Sequence, residues 1–234
     1  MDIHWHPQLS STNDEAHAQA KLGAPHGTLI GADFQSAGRG RTGKRWSCEP
    51  GDGLMCSIIL RPEWELRYWG WIALTAGLAL AELLERDCLT PQLKYPNDVL
   101  VNGKKIAGIL TEATSDYVIV GIGMNLNMQT VPEVTSSIPP TSFYLETDCQ
   151  MDASAYARTI QRSLVDLLAS PSPLLLRREI ERRLAWLHHS VTLQDRGTTR
   201  QGQLMGLGTD GQLLLESDQQ EVELYDVLEM RPVG

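Results

Sequence analysis

The amino-acid sequence predicts an α+β fold, in which a mixed β-sheet with flanking helices is followed by a small C-terminal β-barrel. Segments typical of helices and of strands succeed one another up to residue 188, and only short strand-like runs follow from residue 189. The 234 residues, of which 42% are hydrophobic, suffice for one domain of ordinary size and a small appendage. We therefore expect two domains, residues 1–188 and 189–234.

The first helix is predicted at residues 12–22. Thr12 and Glu15 have the spacing of a capping box, in which a hydroxyl at the N-cap precedes a glutamate by three residues. Gly23 is suited to end this helix, because glycine readily adopts the left-handed conformation of a C-terminal cap. Strands are then expected at residues 28–34 and 54–60, on either side of a glycine-rich loop.

A long apolar helix is expected at residues 68–88. Its longest apolar run has about a dozen residues, whereas a membrane span needs ~20, so we expect a buried helix. Asn102-Gly103 is typical of a two-residue turn and predicts a hairpin over residues 99–110. The other predicted elements of this part are a strand at 116–123, a loop at 131–147 and amphipathic helices at 153–169 and 174–188.

Beyond Ser190, short alternating runs are separated by turn residues. The runs lie at residues 191–193, 203–206, 213–215 and 222–224, and the turns at 195–197 and 210–211. A unit of roughly 45 residues buries too little surface to be stable alone. We therefore expect this barrel to pack on the first domain.

The overall charge and the cysteines exclude several classes of protein. A formal net charge of -9 and a pI near 5.1 disfavour a general binder of nucleic acid or anionic membranes, because the long-range field repels polyanions. The four cysteines include no C-x-x-C pair, so neither a zinc site nor a disulfide framework is indicated, and we expect reduced thiols in a cytoplasmic protein. Residues 1–6 lack the features of a signal peptide.

The glycine-rich loop concentrates positive charge in this acidic chain. Four cations lie within seven residues: Arg39, Arg41, Lys44 and Arg45. Residues 38–43 also match G-x-G-x-x-G, but a dinucleotide-binding turn is followed by a helix, which the proline and glycines at residues 50–53 preclude. A solvated basic turn is the simpler alternative, yet it leaves the clustered cations unexplained. We predict that the loop closes on a polyanionic small ligand, because glycines allow movement and like charges need an anionic partner.

Five blocks of sequence, in this order, carry a resemblance to a known family. They are STN at residues 11–13, QSAGRGRTGKRW at 35–46, KYPND at 94–98, KIAGIL at 105–110 and GIGMNLN at 121–127. Together they resemble the signature blocks of biotin protein ligases, the biotin-[acetyl-CoA-carboxylase] ligases. One departure is Tyr95, where the family usually has tryptophan. The other is a start too close to Ser11 for the winged helix-turn-helix of the ligase-repressors, so we expect a short form without that DNA-binding domain.

The resemblance implies a class II synthetase-like catalytic domain over residues 1–188 and an SH3-like barrel over residues 189–234. It implies that ATP, with Mg²⁺ assisting, activates biotin to biotinyl-5'-AMP. Biotin then passes to a lysine of the biotin carboxyl carrier protein of acetyl-CoA carboxylase. A cytoplasmic enzyme without specific DNA or membrane binding is also implied, a homodimer is allowed, and no residue is assigned as a metal ligand.

The resemblance also implies the site residues. Arg39, Arg41 and Lys105 would be catalytic, because cations offset the repulsion between the biotin carboxylate and the α-phosphate. The biotin-binding residues implied are Ser11, Thr12, Asn13, Gln35, Gly38, Arg39, Gly40, Arg41, Lys105 and Gly108. Those implied for ATP are Arg39, Arg41, Trp46, Lys94, Asn97, Lys105 and Asn125. Within this set, the flat face of Trp46 suits stacking on adenine.

Simpler interpretations and rival functions stay open at this point. Residues 11–13 taken alone are more typical of a helix cap, and Lys104 of a solvated surface lysine. A lipoate ligase is the nearest enzymatic rival because it shares the fold, although its acyl pocket gives no reason to pair Gln35 with Arg41. An RNA-binding module using Arg-Gly-Arg is disfavoured by the net charge of -9 and the 6% aromatic content.

Overall fold

The computed structural model describes residues 1–131, 138–195, 197–217, 220–224 and 227–233. These residues form a seven-stranded sheet with helices on both faces, followed in the chain by a five-stranded sheet. The α+β fold class is confirmed, and the antiparallel C-terminal sheet is consistent with an SH3-like barrel. The division of the chain between residues 188 and 189 stays a prediction.

The first sheet contains β1 (Ile3–His6), β2 (Leu29–Ala32), β3 (Gly53–Leu60), β4 (Pro91–Lys94), β5 (Asp98–Val101), β6 (Lys104–Ala113) and β7 (Val118–Asn125). The helices around it are α1 (Thr12–Lys21), α2 (Trp71–Arg86), α3 (Phe143–Thr147), α4 (Ala153–Leu168) and α5 (Arg177–Glu181). Short 3-10 turns lie at Arg41–Gly43, Leu66–Tyr68 and Pro173–Leu175. The second sheet contains β8 (Ser190–Asp195), β9 (Thr198–Leu207), β10 (Leu213–Ser217), β11 (Gln220–Leu224) and β12 (Val227–Pro232).

The first sheet has the strand order β1-β2-β3-β7-β6-β5-β4. It is mixed, because β1 and β2 run parallel whereas the other neighbouring strands run antiparallel. The Asn102-Gly103 turn joins β5 to β6, and its two residues have φ values of 50° and 72°. Positive φ at both central residues is what a type I' hairpin turn requires. The predicted hairpin is therefore confirmed.

The two faces of the first sheet carry different side chains. α2 and α4 cover one face, where Ile122 of β7 joins the larger buried cluster. α1 covers the other face, where Ile119 joins a second, smaller cluster. Alternate residues of a strand share a face, so Gly121, Gly123 and Asn125 continue the face of Ile119. Beyond α1 this face therefore changes from isoleucine to glycine and leaves space for other groups.

The second sheet, in the order β11-β10-β9-β8-β12, packs against the start of α2. Trp71 donates its indole N–H to the carbonyl oxygen of Thr209 at 2.9 Å, and Gly211 lies against the indole. Leu207 and Leu213 belong to the same buried cluster as Trp71. The expected packing of the small sheet on the rest of the chain is confirmed.

The capping box predicted for α1 is wrong. Ser11 is the N-cap, Thr12 is the first helical residue, and the N-cap makes no side-chain capping bond. The Thr12 hydroxyl bonds to Gln35 instead, so a tertiary contact replaces the local one. Gly23, with a φ of 92°, ends the helix as predicted.

The helix predicted at residues 174–188 is also wrong in extent, because only α5 and a 3-10 turn form there. Leu93 of the edge strand β4 donates its N–H to Arg183 O at 2.7 Å and accepts from the N–H of Ala185 at 2.9 Å. These hydrogen bonds cover the edge of the sheet, and they stabilise this segment more than the longer helix predicted from its periodicity would. Within the loop predicted at residues 131–147, α3 forms after the capping residue Ser142, and residues 132–137 lie outside the described residues.

β1, β4 and β12 have no counterpart among the predicted elements. The remaining predicted helices and strands are confirmed, with ends shifted by a few residues. In the part of the chain that the structure describes, no helix is both long and apolar enough to cross a bilayer. The cysteines are free, and burial raises the pKa of the Cys56 thiol to about 12, so this side chain packs as a small apolar group.

A buried arginine joins α5 to α2. The side chain of Arg183 is 5% exposed and donates two bonds of 2.7 Å to the carboxylate of Glu85. It also donates to the backbone and carboxylate of Glu179, at 2.7 Å and 3.1 Å. The bonds from Arg183 lower the pKa of Glu85 below its ordinary value. This pair is therefore expected to make the stability of the protein depend on pH.

Arg183→Met is expected to lower the free energy of unfolding by about 2 kcal/mol at pH 7, less than for a fully buried pair because Glu85 is 39% exposed. A depressed folded pKa contributes stability that is present above the unfolded pKa and lost as pH falls through the folded pKa. Urea unfolding should therefore show the difference between variant and parent shrinking below about pH 4.5. Exposed Arg178→Met is the control, and an equal difference at pH 3 and pH 7 would contradict this account.

Candidate functional site

Beside α1 the first sheet contributes no side chains of its own at Gly108, Gly121 and Gly123, and we define the glycine trough by these three residues. A Cβ atom at Gly121 would collide with the Asn13 side chain, and one at Gly123 with the Trp46 indole. At Gly108, a Cβ atom would lie 3.3 Å from the same indole. Gly121 and Gly123 therefore have no space for a side chain where Asn13 and Trp46 now lie, whereas a side chain at Gly108 would be a tight fit.

Gln35 and the start of α1 form the hydrogen-bonding end of the trough. The amide oxygen of Gln35 accepts bonds from the N–H of Thr12 at 2.6 Å and from its hydroxyl at 3.0 Å. Because both bonds use the oxygen, the Nε2 group of Gln35 remains a donor, and it lies beside Gly38. Ser11 is 3% exposed and its hydroxyl does not cap the helix. This end of the trough therefore presents fixed, neutral hydrogen-bonding groups.

Two residues outside the predicted site, Ser57 and Glu112, hold this end together. The hydroxyl of Ser57 lies 2.7 Å from Thr12 Oγ1 and 2.6 Å from Asn13 Oδ1. Asn13 donates its Nδ2 group to Glu112 at 2.8 Å. A serine inside the apolar run LMCSIIL is a signal for Ser57, because a buried hydroxyl needs partners. No comparable local pattern distinguishes Glu112.

Arg39, predicted to be catalytic, makes ion pairs beside the trough. It donates to Asp14 of α1 and to Glu112 of β6, the latter at 3.0 Å. The bond to Asp14 is the largest cause that raises the pKa of Arg39, and the bond to Glu112 adds to it. The guanidinium is engaged with two carboxylates, and the catalytic role of Arg39 stays a prediction.

The cationic loop, residues 38–46, folds back on itself. Gly40 donates its N–H to Lys44 O at 2.7 Å, and Trp46 donates its N–H to Gly38 O at 3.0 Å. Between these bonds the chain reverses through a 3-10 turn in which Gly43 has a φ of 74°. A residue with a side chain is strained at that φ, which explains this glycine.

Arg41 connects the cationic loop to both sheets. Its Nη1 group donates to Asn97 Oδ1 and to the carbonyl oxygen of Val227 in β12, both at 3.3 Å. Asn97 in turn donates its Nδ2 group to the carbonyl oxygen of Ile109 at 2.8 Å. Both ends of the Asn97 amide are used within the protein, so its predicted contact with a nucleotide stays a prediction and its observed role is to hold Arg41.

Positive charge in the cationic loop is only partly neutralised. Among the residues that the structure describes, Arg41 and Arg45 bond to uncharged oxygens, and Lys44 is exposed without an ion pair. Within the described ranges, Arg39 is the one loop cation of the four that is paired with carboxylates. Unpaired cations create a local positive potential even in an acidic protein. This part of the site is therefore suited to an anion such as a polyphosphate.

Lys105 and Lys94 share the carboxylate of Asp98, which is 14% exposed. Lys105 Nζ lies 2.6 Å from one carboxylate oxygen, and Lys94 Nζ lies 3.3 Å from the other. The predicted site omitted Asp98, which orients both lysines toward one place. Lys104 is 48% exposed and lies 3.8 Å from Glu146, as a surface lysine does.

The Trp46 indole lies in the glycine trough. Lys105 Nζ lies 5.8 Å from the centre of the indole, within the range of a cation–π contact. Within the described residues, Nε1 of Trp46 is buried without a hydrogen-bond partner. A buried N–H without a partner costs free energy. A ligand that displaces the indole therefore breaks no hydrogen bond of this N–H.

Asn125 continues the trough face at the end of β7. It is 9% exposed, and its Nδ2 group donates to the carbonyl oxygen of Thr141 at 2.8 Å. This bond fixes the amide and leaves Oδ1 as an acceptor, the group that an adenine amino group requires. The contact of Asn125 with adenine stays a prediction, and the orientation of its amide is compatible with that contact.

A cleft of about 460 Å³ opens beside the trough, between the cationic loop, α2 and the second sheet. A volume of this order is typical of pockets for small molecules. Residues of the first sheet, the loops near it, α2 and the turn between β9 and β10 line it, among them Arg39, Arg41, Leu74, Asn97, Thr111 and Gln212. The turn between β9 and β10 therefore shapes this cleft together with the first sheet.

Comparison with known proteins gives several matches. Over 131 residues the chain is 43% identical to the bifunctional ligase/repressor BirA of Bacillus subtilis, a match that covers 53% of this chain and 40% of that protein. It is 36% identical over 138 residues to the biotin--[acetyl-CoA-carboxylase] ligase of Mycobacterium tuberculosis, covering 55% of this chain and 52% of that one. The matched regions thus span about half or less of these relatives.

A solved structure matches along nearly the whole chain. It is the biotin protein ligase of Aquifex aeolicus in complex with biotin and ATP, with a TM-score of 0.87, 28% identity and coverage of 99% of both chains. The family model for the biotin/lipoate A/B protein ligase family matches residues 5–127, just over half of the sequence. The chain therefore belongs to the biotin/lipoate A/B protein ligase family.

Proposed function

We propose that this chain is an ATP-dependent biotin protein ligase, which makes biotinyl-5'-AMP and then transfers biotin to a lysine of an acceptor protein. One observation carries the proposal: a trough with neutral hydrogen-bonding groups at one end and lysines with unpaired loop cations at the other. Such a site suits a molecule with a neutral polar head and an anionic tail. The similarity to the biotin ligases of Mycobacterium tuberculosis and Aquifex aeolicus supports the same choice.

The neutral end fits the ureido ring of biotin. Gln35 Nε2 is a donor for the ureido oxygen, and the hydroxyl groups of Ser11 and Thr12 supply further partners for the ureido group. We assign Asn13, Gly38 and Gly40 to the binding of biotin as well, supported for Asn13 by its contact with Ser57 and for Gly38 by its position beside Gln35. The glycine trough, including Gly108, then takes the apolar bicycle and tail of biotin once the Trp46 indole moves aside, since the sheet itself contributes no side chain there.

The cationic end fits the reaction with ATP. In the first step an oxygen of the biotin carboxylate attacks the α-phosphorus, a P–O bond forms, and the bond to pyrophosphate breaks. Lys105, Lys94 and Arg41 offset the repulsion between the two anions and stabilise charge on the phosphate oxygens. Trp46 and Asn125 serve the adenine ring by stacking and by accepting a hydrogen bond.

Mg²⁺ is proposed to enter with ATP. Among the described residues, no group of three or more His, Cys, Asp or Glu side chains could hold a metal ion. Mg²⁺ usually binds through substrate phosphates with one or two carboxylates. Asp98 is a carboxylate at the cationic end, and when bound there Mg²⁺ would supply further charge stabilisation on the phosphates.

In the second step the acceptor amine attacks the carbonyl carbon of the adenylate, and AMP leaves. We propose the biotin carboxyl carrier protein of acetyl-CoA carboxylase as the acceptor, with residues 1–188 as the ligase domain and 189–234 as the SH3-like barrel. We further propose that the protein is cytoplasmic and forms a homodimer. We also propose that it does not bind DNA specifically and is not attached to a membrane. The net charge of -9 supports the absence of DNA binding.

The decisive measurement is pyrophosphate–ATP exchange with a panel of carboxylic acids. Exchange is expected to require biotin and Mg²⁺, because adenylate formation is reversible only with the correct acid bound. The rival lipoate ligase predicts exchange with lipoate instead. Equal exchange with lipoate, or exchange without any acid, would show that the assignment to biotin is wrong. Salt-dependent RNA binding at sub-micromolar protein would favour the RNA-binding alternative.

A further inference from the structure

Glu112 near the end of β6 binds side chains from two other parts of the site. It accepts from Asn13 of α1 at 2.8 Å and from Arg39 of the cationic loop at 3.0 Å. His17 of α1 lies 3.2 Å from the same carboxylate, and its other ring nitrogen lies 3.3 Å from the Tyr117 hydroxyl. The Glu112 side chain is 29% exposed, so its bonds are partly shielded from water. One carboxylate therefore ties together the sheet, the helix and the loop.

The bonds of Asn13 extend this connection to the hydrogen-bonding end of the trough. Asn13 Oδ1 lies 2.6 Å from the Ser57 hydroxyl, which lies 2.7 Å from the Thr12 hydroxyl. Thr12 donates its N–H and its hydroxyl to Gln35. A series of polar contacts thus leads from Gln35 to Glu112 and on to the cationic loop, in which the single Ser57 proton bonds to Asn13 or to Thr12.

Apart from the Trp46 indole, which packs against Gly108 and Gly123, the cationic loop has few other attachments to the first sheet among the described residues. Its backbone bonds close on the loop itself, between Gly38 and Trp46 and between Gly40 and Lys44. Arg41 reaches Asn97 and the second sheet through bonds of 3.3 Å to uncharged oxygens. The bonds of Arg39 to Glu112 and Asp14 join opposite charges and are stronger.

From this geometry we propose that Glu112 is a positioning residue that keeps the cationic loop over the trough and so retains the adenylate between the two half-reactions. The inference rests on the proposed ligase function. Glu112 acts on the loop through Arg39, and it takes no part in the bond-making steps. Its loss is expected to release biotinyl-5'-AMP faster while the adenylation rate at saturating substrates changes little.

A merely structural role for Glu112 predicts a different result. It would lower the melting temperature and affect release and chemistry alike, whatever residue stands at position 39. A positioning role through Arg39 predicts coupling, because once one partner of a bond is gone, removing the other costs nothing further. The pair Glu112→Gln and Arg39→Met therefore separates the two interpretations.

The experiment measures the off-rate of radiolabelled biotinyl-5'-AMP, chased with excess unlabelled compound, together with the adenylation rate and melting temperature of each variant. Glu112→Gln and Arg39→Met are each expected to release the adenylate about tenfold faster, the size of one partly exposed charge-assisted bond. The double variant should release it no faster than Arg39→Met alone. The control is Glu65→Gln, which removes an exposed carboxylate paired with Arg67 and should leave the off-rate unchanged.

An off-rate unchanged in Glu112→Gln, or an additive double variant, would overturn the proposal. Should Glu112→Gln fail to fold, Glu112→Asp and Arg39→Met carry the test, since the shorter carboxylate keeps the charge but withdraws it from Arg39. Under the proposal both release the adenylate faster, and an unchanged off-rate in both overturns it. Failure of the proposed function looks different, because the unaltered chain would then bind no biotinyl-5'-AMP at all.

Discussion

Replacing Lys105 with alanine is expected to slow adenylation by about 100-fold, because a cation that faces charge developing on a phosphate contributes more in the transition state than in the ground state. Asp98 holds Lys105 Nζ at 2.6 Å, which fixes its direction before substrates arrive. The neighbouring Lys104 is 48% exposed and points to Glu146. Lys104→Ala should therefore change the rate less than about twofold, as expected for a surface site.

The measurement is pyrophosphate–ATP exchange at saturating biotin and ATP, with the dissociation constant of biotin measured separately. The loss in Lys105→Ala should fall on the rate more than on biotin binding. Melting temperatures of both variants establish that each is folded. Equal losses in Lys105→Ala and Lys104→Ala would show that Lys105 has no specific role in adenylation. The loop arginines would then be the cations that stabilise the phosphate charge.

Gly123→Val is expected to weaken biotin binding on the order of 100-fold, because a side chain at this position fills the trough and drives Trp46 from its place. Valine suits a β-strand, so the pairing of β7 with β3 and β6 should persist. The loss of biotin affinity would therefore come from the altered binding site and not from a disrupted sheet. Biotin binding by calorimetry, in the absence of ATP, measures it directly.

Ile119→Val is the matched control for Gly123→Val. Ile119 lies on the same face of the same strand, but it packs under α1 outside the trough. Removing one buried methylene should cost about 1 kcal/mol of stability and leave biotin binding unchanged. A folded Gly123→Val variant that binds biotin normally would show that the ligand does not occupy this trough.

The candidate site was only partly predictable from sequence. The motif glycines and Lys105 could be found because their spacing is local and repeats a known pattern. Ser57 and Asp98 lie inside or next to predicted elements, but nothing local indicates which side chains they bond. Glu112 lies 73 residues from Arg39 in the chain, and their ion pair exists only because the cationic loop folds over the end of β6.

Local sequence by itself determined most strands and helices of this protein, the hairpin at Asn102-Gly103 and the concentration of charge in the cationic loop. Those features depend on turn geometry, side-chain periodicity and composition, which neighbouring residues fix. Only the tertiary structure decided that Thr12 bonds to Gln35 instead of capping α1, and that residues 183–185 pair with β4 instead of extending α5. In both cases a backbone or side-chain group far away in the chain offered a hydrogen bond in a shielded place, and such a bond outweighs a local preference of a fraction of a kcal/mol, about what helix propensity supplies per residue.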